Sequence, residues 1–347
     1  MKSFEDKYIK KLRFPVGILS NLRAIGEYKG KEDLFSKQSS GALEKLLESA
    51  IVQSAESSNR IEGITAPHNR VKMLVKNKVL PKGRSEQEIA GYRDVLNLIH
   101  QSHKDIPLSE NVILQFHSML YRYTDIRSGF WKKMNNEIVD IKSDGTKVLR
   151  FKPVDAITTP EHIKGLISRF NDHLKNEDID PLVLIPLFVF DFLCVHPFND
   201  GNGRVARLLT LLLLYQAGYK IGKFISLERI IEESKESYYD ALIASSKGWH
   251  GGKHDIFPWL EYFYGIVIAA YKEFVARVGT FKGKGSKTEQ IKAQVEKFVR
   301  PFSIADIENA CPNITRDMIR NVLHQLRDEK KIKSTGIGRS ARWKKIG

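Results

Sequence analysis

Two long apolar stretches lie near the middle of the chain, and a short polar run separates them. Residues 182–195 are apolar except for Pro186 and Asp191, and residues 205–215 contain six leucines. Both stretches have the length and composition of buried helices. The polar run at residues 196–204 is therefore predicted to be the loop that joins them. A polar loop on a rigid scaffold is a candidate functional site.

A second helix is predicted upstream, and its apolar face changes character towards its end. Its apolar positions recur at spacings of three and four, at Leu43, Leu46, Leu47, Ala50 and Ile51. The same face continues through Ser54, Ser58 and Glu62. Because an unpaired buried carboxylate is costly, Glu62 is expected to meet a cation.

The stretch from residue 137 to residue 152 has a different pattern. β-prone residues stand on both sides of Asp144-Gly145, and this arrangement is a strong hairpin signal. They are Ile138, Val139, Ile141, Val148, Leu149 and Phe151. The sequence therefore predicts one small β-hairpin beside a core that is otherwise all-α.

A glycine- and lysine-rich segment, residues 277–288, is predicted to be a linker to a separate C-terminal domain. Beyond it, apolar spacing and the caps Ser303 and Thr315 predict three helices. Residues 332–346 alternate as a hairpin does. Three helices and a hairpin resemble a winged helix, with residues 315–328 as the recognition helix.

Positive charge is concentrated in this C-terminal domain. Residues 281–347 contain 16 Lys and Arg residues against 7 Asp and Glu residues, and so carry +9 of the formal net charge of +15. A basic helix and hairpin can bind the phosphate backbone of DNA without base specificity. The predicted contacts are Arg316, Arg320, Arg339 and Arg342. Winged helices also serve as protein-docking or dimer modules, so protein binding and a homodimer stay open as alternatives.

The central loop combines groups that suit chemistry on a phosphate. His196 can accept a proton near neutral pH, and Asp200 offers the carboxylate oxygens that Mg²⁺ prefers. Gly201 and Gly203 allow close backbone approach, and the helix that begins near Gly203 directs N–H groups at an anion. The loop is therefore a candidate site for an anionic ligand.

Two arginines extend this site onto the helix that follows. Arg204 and Arg207 are three residues apart and lie on one face of its first turn. Their two positive charges together suit a di- or triphosphate. The residues alone therefore indicate Mg²⁺-dependent chemistry on a phosphate, with His196 activating a hydroxyl.

Residues 196–207 match the signature His-Pro-Phe-x-Asp-Gly-Asn-Gly-Arg-x-x-Arg at every defined position, and the chain resembles the Fic-domain proteins. The resemblance implies transfer of AMP from ATP to a Ser, Thr or Tyr hydroxyl of a target protein, with Mg²⁺. It implies that His196 is the general base, that Phe198 packs under the loop, and that Asp200 binds the metal. It further implies a nucleotide site in which Gly201, Asn202 and Gly203 form the anion hole, Arg204 binds the β-phosphate, and Arg207 binds the γ-phosphate. Family variants that phosphorylate their targets carry lysine at the position of Gly203, so the retained glycine favours AMP transfer.

Further segments strengthen this resemblance. Residues 58–63 resemble the inhibitory motif Ser/Thr-x-x-x-Glu-Gly/Asn, so Ser58 and Glu62 are expected to restrain the enzyme, with Glu62 paired to Arg207. The hairpin resembles the family's flap, which positions the target by strand pairing through Ile138, Ile141, Leu149 and Phe151. Tyr239 resembles a residue of the adenine pocket. In the family an arginine usually follows the pattern Gly-x-aromatic, whereas here Lys132 follows Gly129-Phe130-Trp131.

The expected fold is a helical Fic core with a hairpin flap and a C-terminal winged helix. The expected division is an N-terminal helical region at residues 1–95, a catalytic core at 96–276, the linker at 277–288 and the winged helix at 289–347. Two rival functions remain. One is a DNA-binding regulator whose Fic fold senses nucleotide, and the other is removal of AMP with Glu62 positioning water.

Composition excludes several other classes of protein. Cys194 and Cys311 are far apart and unpatterned, so neither a disulfide framework nor a zinc site is predicted. Residues 1–11 lack the apolar run of a signal peptide, and residues 182–195 are too few to span a bilayer. A cytoplasmic protein with no membrane partner is expected.

Overall fold

The computed structural model of the chain describes residues 2–38, 40–141, 146–284, 287–298, 300–312, 314–336 and 341–346. Fifteen α-helices and four short strands lie within these residues. The chain divides into two compact units, Met1–Phe274 and Val275–Gly347. No helix in the described residues is both long enough and apolar enough to cross a membrane.

The first unit is mostly helical. Its helices are α1 (Asp6–Ile9), α2 (Val16–Gln38), α3 (Ser40–Ile61), α4 (His68–Val75), α5 (Arg84–Ser102), α6 (Glu110–Leu120), α7 (Thr159–Asn176), α8 (Pro181–Val195), α9 (Asn202–Gln216), α10 (Leu227–Glu233), α11 (Lys235–Ser246) and α12 (Phe257–Lys284). The end of α12 lies in the second unit. The mainly helical fold predicted from the sequence is confirmed.

Helices α8 and α9 form the buried centre of this unit, as their composition predicts. Every residue of α8 from Leu182 to Val195 is buried. Pro186 inside this helix has no N–H to donate to the carbonyl of Leu182. The hydroxyl of Tyr264 donates to that carbonyl instead, at 3.0 Å. The helix therefore continues through Pro186 to the loop at residue 196.

The buried carboxylate of Asp191 fastens the N-terminal segment to α8. The backbone N–H and the hydroxyl of Ser3 donate to its two oxygens at 3.1 and 2.6 Å, and the indole N–H of Trp249 donates at 2.7 Å. Burial raises the pKa of Asp191, and these donors oppose that effect. The segment before α1 is thereby fixed to the helix that leads into the loop.

Helix α3 packs against α5 and α10, and its inward polar residues find partners there. The hydroxyl of Ser54 donates to Glu228 Oε2 at 2.7 Å, and the hydroxyl of Tyr92 donates to Glu228 Oε1 at 2.8 Å. A buried carboxylate with such donors is far less costly than an unpaired one. The network fixes the rotation of α3, and hence the side on which Ser58 and Glu62 emerge.

The predicted hairpin is formed by β1 (Ile138–Ile141) and β2 (Lys147–Phe151), which pair antiparallel. Its turn, residues 142–145, lies outside the described residues. The ring of His250 stacks on Phe151 with 5.4 Å between ring centroids, and His250 Nε2 lies 2.8 Å from the carbonyl of Lys152. These contacts hold the base of the hairpin against the helical unit.

The second unit contains α13 (Lys287–Lys297), α14 (Ile304–Ala310), α15 (Arg316–Asp328), β3 (Ile332–Thr335) and β4 (Arg342–Lys345). The two strands pair antiparallel, and Phe302 forms an additional bridge to Trp343. The inward positions of α15 are buried as predicted, at Ile319, Val322, Leu323 and Leu326. Ser303 and Asp306 form the predicted capping box. Thr315 occupies the N-cap position of α15 but makes no side-chain cap bond.

The boundaries differ from the predicted ones in two places. Residue 95 lies inside α5, so residues 1–95 and the core belong to one compact unit. Residues 277–284, expected to be linker, continue α12 as helix. Val278 is fully buried and anchors this part of the helix. Glycine in a helix costs only about 1 kcal/mol relative to alanine, so Gly279 and Gly283 do not end it.

Buried neutral histidines should make the protein sensitive to acid. Burial lowers the pKa of His100 to about 3, and those of His117, His196 and His254 to about 4, from an ordinary value of 6.5. The unfolded chain therefore binds more protons than the folded one between about pH 6.5 and pH 4. Stability present above pH 6.5 is lost as the pH falls through this window.

We predict that the melting temperature falls from pH 7 to pH 5, and that His100→Phe reduces this loss. Neither ring nitrogen of His100 has a hydrogen-bond partner among the described residues, so its protonation is not compensated. The control is His324→Phe, at a partly exposed site of the second unit, and it should keep the pH dependence of the parent. Equal pH dependence in the His100 variant and the parent would contradict the prediction.

Candidate active site

The loop after α8 has a fixed and partly strained shape. His196 adopts left-handed backbone angles, φ 50° and ψ 63°, which cost a residue with a side chain roughly 1–2 kcal/mol. Asn202 Oδ1 accepts from the N–H of Phe198 at 2.9 Å, and its Nδ2 donates to the Phe198 carbonyl at 2.8 Å. Phe198 is buried under the loop and stacks on His117 with 3.8 Å between ring centroids. The side chain of Asn202 therefore braces the loop, and its backbone begins α9.

The ring of His196 is oriented by a backbone contact. Its Nδ1 lies 3.2 Å from the carbonyl oxygen of Leu193. A carbonyl can only accept, so Nδ1 carries the proton and Nε2 carries the lone pair. Burial, helped by the charge of Lys132, lowers the pKa of His196 to about 4. His196 is therefore neutral at physiological pH, and its Nε2 can accept a proton.

A cavity of about 970 Å³ opens beside His196. It brings together segments that are far apart in sequence: the loop, the start of α9, the end of α3, the flap and α11. The lining residues from these segments include Glu62, Ile138, Arg150, Phe151, His196, Gly203, Arg207, Lys235 and Tyr239. This volume lies within the range of a site for a nucleotide-sized ligand.

Arg207 contributes a buried positive charge to this cavity. Its Nε donates to the hydroxyl of Ser58 at 2.8 Å, and its Nη2 donates to the Ser58 carbonyl at 2.8 Å and to Glu62 Oε1 at 2.7 Å. Burial lowers the pKa of Arg207, but Glu62 together with Tyr238 and Tyr92 outweighs that effect and holds the pKa above its ordinary value. The structure thus shows the predicted ion pair between Glu62 and Arg207, and it adds Ser58 as a second anchor of the guanidinium.

The Glu62 carboxylate also lies against the start of α9. A β-carbon added at Gly203 would overlap Glu62 Oε1. The first N–H groups of a helix have no intrahelical partner, and the helix dipole favours an anion beside them. Glu62 therefore occupies the position where the sequence predicts a phosphate.

The end of α3 is fastened where Glu62 emerges. Gly63 has φ +79° and ends the helix. Lys235 Nζ donates to the carbonyl of Ile61 at 2.7 Å, and Arg60 pairs with Glu232 at 3.1 Å. These contacts tie the Glu62 turn to α10 and to the start of α11.

Arg204 is held beneath the loop by contacts with other protein groups. Its side chain is fully buried, and it donates to Glu88 Oε2 at 2.7 Å, to Asn59 Oδ1 at 3.2 Å and to the Tyr121 hydroxyl at 2.7 Å. Neither Arg204 nor Asp200 lines the cavity beside His196. Arg204 instead joins α9 to α3, α5 and α6 beneath the loop. Glu88 carries the carboxylate that holds it there.

Asp200 is exposed at the outer side of the loop. Its Oδ2 accepts from the Tyr121 hydroxyl at 2.9 Å, and its Oδ1 accepts from the N–H of Gly201 at 2.7 Å. Burial raises its pKa, but Arg204 and these donors outweigh that effect, so the pKa is lower than usual. Asp200 is therefore an ionised carboxylate with accessible oxygens.

The donor set fits Mg²⁺ bound together with phosphates. In the part of the chain that the structure describes, no group of three or more His, Cys, Asp and Glu side chains could hold a metal by itself. Mg²⁺ commonly uses one or two carboxylates and completes its shell with phosphate oxygens and water. Asp200 can supply that single carboxylate.

The structure brings some, but not all, of the remaining predicted residues to the cavity. Ile138, Phe151 and Tyr239 line the cavity, whereas Leu149 does not and is 53% exposed. The side chain of Ile141 lies outside the described residues. Tyr238, the neighbour of Tyr239, is buried.

Sequence reasoning missed several residues that build the loop. His117 Nε2 lies 3.1 Å from the Asp200 carbonyl, and Tyr121 contacts both Asp200 and Arg204. Lys132 and Asn136 contact the loop from the other side. Only Lys132 carried a signal in the sequence, as a departure from the family pattern. The others are ordinary polar residues until the fold brings them to the loop.

Comparison with known proteins agrees with this geometry. Residues 107–214 match the model of the Fic/DOC family, and this segment runs from just before α6 to near the end of α9. Over this segment the chain is similar to the Fic/DOC proteins.

Curated relatives and a solved structure extend the similarity. The chain is 24% identical over 229 residues to protein adenylyltransferase fic-1 of Caenorhabditis elegans, covering 63% of this chain and 40% of that protein. It is 23% identical over 231 residues to protein adenylyltransferase Fic of Nematostella vectensis, covering 63% and 48%. It thus spans less than half the length of these relatives. The fold is similar to a Fic family protein from Desulfovibrio desulfuricans, with a TM-score of 0.64, 22% identity, and 97% and 98% of the two chains covered.

Proposed function

We propose that this protein transfers AMP from ATP to a hydroxyl side chain (Ser, Thr or Tyr) of a target protein, and that Glu62 restrains the reaction. The proposal rests on the observation that His196, the start of α9 and Arg207 line one cavity. In this cavity Glu62 lies at the position that an anionic ligand would take. A neutral base beside a triphosphate-sized anion site is what hydroxyl attack on a phosphate needs.

The chain's residues divide the chemistry as follows. The target hydroxyl donates its proton to His196 Nε2 as its oxygen attacks the α-phosphorus of ATP. The new bond joins that oxygen to the α-phosphorus, and the bond from the α-phosphorus to the bridging oxygen breaks, so pyrophosphate leaves. The N–H groups at the start of α9 hold the phosphates, and Arg207 binds the γ-phosphate. Arg204, which the resemblance assigns to the β-phosphate, also joins this helix to α3 and α5 from below.

Asp200 is the residue that would hold Mg²⁺ beside the phosphates. The ion would neutralise phosphate charge and help to orient the triphosphate. Arg204 keeps the Asp200 carboxylate ionised with the help of Tyr121 and Gly201, whose hydrogen bonds also direct it.

The restraint by Glu62 is electrostatic and steric at once. Arg207 is only 4% exposed, and its guanidinium is already bound by Ser58 and Glu62. While Glu62 is in place, the γ-phosphate cannot pair with Arg207, and it has no space beside Gly203. ATP then binds in a pose that does not align its α-phosphorus with the attacking hydroxyl.

The flap supplies the surface for the target. Ile138, Val139 and Phe151 line the cavity on the flap side, while Val148 and Leu149 are 39% and 53% exposed. A target segment that pairs with a free strand edge would bring its hydroxyl to the His196 side of the cavity.

We predict that Glu62→Ala raises self-labelling from α-phosphate-labelled ATP by about 10- to 100-fold, since one hydrogen bond to a charged group contributes ~1.5–3 kcal/mol. His196→Ala in the same background should abolish labelling while ATP still binds. The control is Glu48→Ala, which removes an exposed carboxylate of the same helix and should leave labelling at the parent level.

Three outcomes would contradict this proposal. Labelling that persists without His196 would exclude it as the base. Labelling that is unchanged in Glu62→Ala would exclude the restraint. AMP release from a labelled target by the parent, lost in Glu62→Ala, would favour the reverse reaction with Glu62 positioning water.

For the second unit we propose a winged-helix module that contacts the DNA backbone. Arg316 and Arg320 on α15, and Arg342 on β4, are exposed. They pair with Glu308, Asp317 and Asp306 at 2.8, 3.2 and 3.6 Å. Exposed ion pairs contribute only about 0–1 kcal/mol, so phosphates can compete for these arginines. Arg339 lies outside the described residues.

We predict that the full chain binds duplex DNA of unrelated sequences with similar, salt-dependent affinity. The double variant Arg316→Glu/Arg320→Glu should lower the slope of log affinity against log salt by about 2. A control with the same charge change on α13, Lys287→Glu/Lys297→Glu, should keep the parent slope. Absence of binding at low salt, or an equal loss in the control, would contradict the proposal.

A further inference from the structure

The chain around His196 has an unusual set of backbone contacts. Lys132 and Asn136 together donate hydrogen bonds to four consecutive carbonyls, those of Val195, His196, Pro197 and Phe198, and the last of these also accepts from Asn202. The last carbonyls of a helix have no intrahelical donor, so the end of α8 needs such partners. Because these four consecutive carbonyls are held, the path of the backbone through His196 is fixed.

Lys132 makes two of these contacts. Its Nζ donates to the Val195 carbonyl at 3.1 Å, and its backbone N–H donates to the Pro197 carbonyl at 2.8 Å. The residue is only 3% exposed, so its ammonium group lies at the negative end of the α8 dipole rather than in solvent. Its two donors bracket His196 in the sequence.

Asn136 completes the arrangement. Its Nδ2 donates to the carbonyls of Phe198 and His196 at 3.0 and 3.5 Å, and its Oδ1 accepts from Lys132 Nζ at 2.8 Å. Lys132 and Asn136 therefore hold each other as well as the loop. We call these two residues the clamp.

The clamp acts on a backbone conformation that needs support. His196 has φ +50° and carries a side chain, and such a conformation persists only where the surroundings fix it. In this conformation Nδ1 meets the Leu193 carbonyl, which leaves Nε2 as the nitrogen available to the cavity. Relaxation of the backbone at His196 would turn the ring away from this position.

We propose that Lys132 and Asn136 are positioning residues, which hold His196 in its left-handed conformation with Nε2 presented to the attacking hydroxyl. This inference rests on the proposed AMP transfer. Strand β1 begins at Ile138, just beyond Asn136, so the same short segment carries the target-binding flap and the clamp on the base. Target binding at the flap is thereby linked to the orientation of His196.

The charge of Lys132 gives this role a spectroscopic signature. After burial, it is a further cause of the lowered pKa of His196. Burial also lowers the pKa of Lys132 itself, to about 8. Removing the ammonium group should therefore raise the pKa of His196, whereas a distant structural change would leave it unmoved.

The test uses the full chain in the Glu62→Ala background, with Lys132→Met, Lys132→Arg, Asn136→Ala and the control Lys133→Met. Lys133 is the exposed neighbour of Lys132. We expect Lys132→Met to lower the labelling rate on the order of 100-fold at saturating ATP, as a misplaced catalytic group does, with ATP affinity unchanged. Lys132→Arg, which keeps charge and donors, should restore most of the rate, and Lys133→Met should match the background.

Two further readouts decide the inference. Nuclear magnetic resonance titration should show a higher His196 pKa in Lys132→Met than in Lys133→Met. Asn136→Ala should slow labelling in the same way, and the double variant should be no slower than the slower single variant, because the two residues act as a unit. If Lys132→Met does not fold, Asn136→Ala carries the rate test alone.

Failure of the clamp can be told apart from failure of the proposed function. Full-rate labelling in Lys132→Met and in Asn136→Ala, or a His196 pKa that does not move, would overturn the clamp. If the Glu62→Ala background transfers no AMP at all, the proposed function fails. The titration still decides whether Lys132 sets the environment of His196.

Discussion

The structure depends most on one electrostatic constraint, the need of the buried Arg207 and the start of α9 for an anion. Glu62 meets both needs, because one oxygen pairs with the guanidinium and lies against Gly203. A ligand phosphate would satisfy the same two groups. If ATP binds as proposed, the Glu62 carboxylate and the γ-phosphate would compete for this one position, so the resting contact and the proposed catalytic contact would exclude each other.

The surrounding helices fix the geometry of this anion position. Helices α8 and α9 are buried on all sides, so the loop between them has fixed ends. Arg204 and Glu88 hold the second helix from below, while Lys132 and Asn136 hold the end of the first. The hairpin follows directly after the segment that contains Lys132 and Asn136. The candidate base, the anion position and the hairpin are thus joined through a few buried polar contacts rather than through the apolar core alone.

Much of this site could be predicted from the sequence. The length and composition of the two apolar stretches predicted α8, α9 and the loop between them, and the inward face of α3 predicted that Glu62 meets a cation. The role of Arg204 could not be predicted, because its partner Glu88 is 116 residues away and nothing local marks their contact. Asn136 likewise gains its role only from the fold. The helix through Lys284 was missed because Gly and Lys suggest a linker, whereas Val278 is buried and the helix continues past Gly279 and Gly283.

The most direct measurement is the structure of the parent and the Glu62→Ala protein, each bound to ATP and Mg²⁺. The central claim predicts that in Glu62→Ala the γ-phosphate lies within hydrogen-bonding distance of Arg207 and the α-phosphorus faces His196 Nε2. In the parent, Arg207 should still pair with Glu62, and the γ-phosphate should lie elsewhere. A parent structure in which Arg207 binds the γ-phosphate while Glu62 keeps its place against Gly203 would contradict the account.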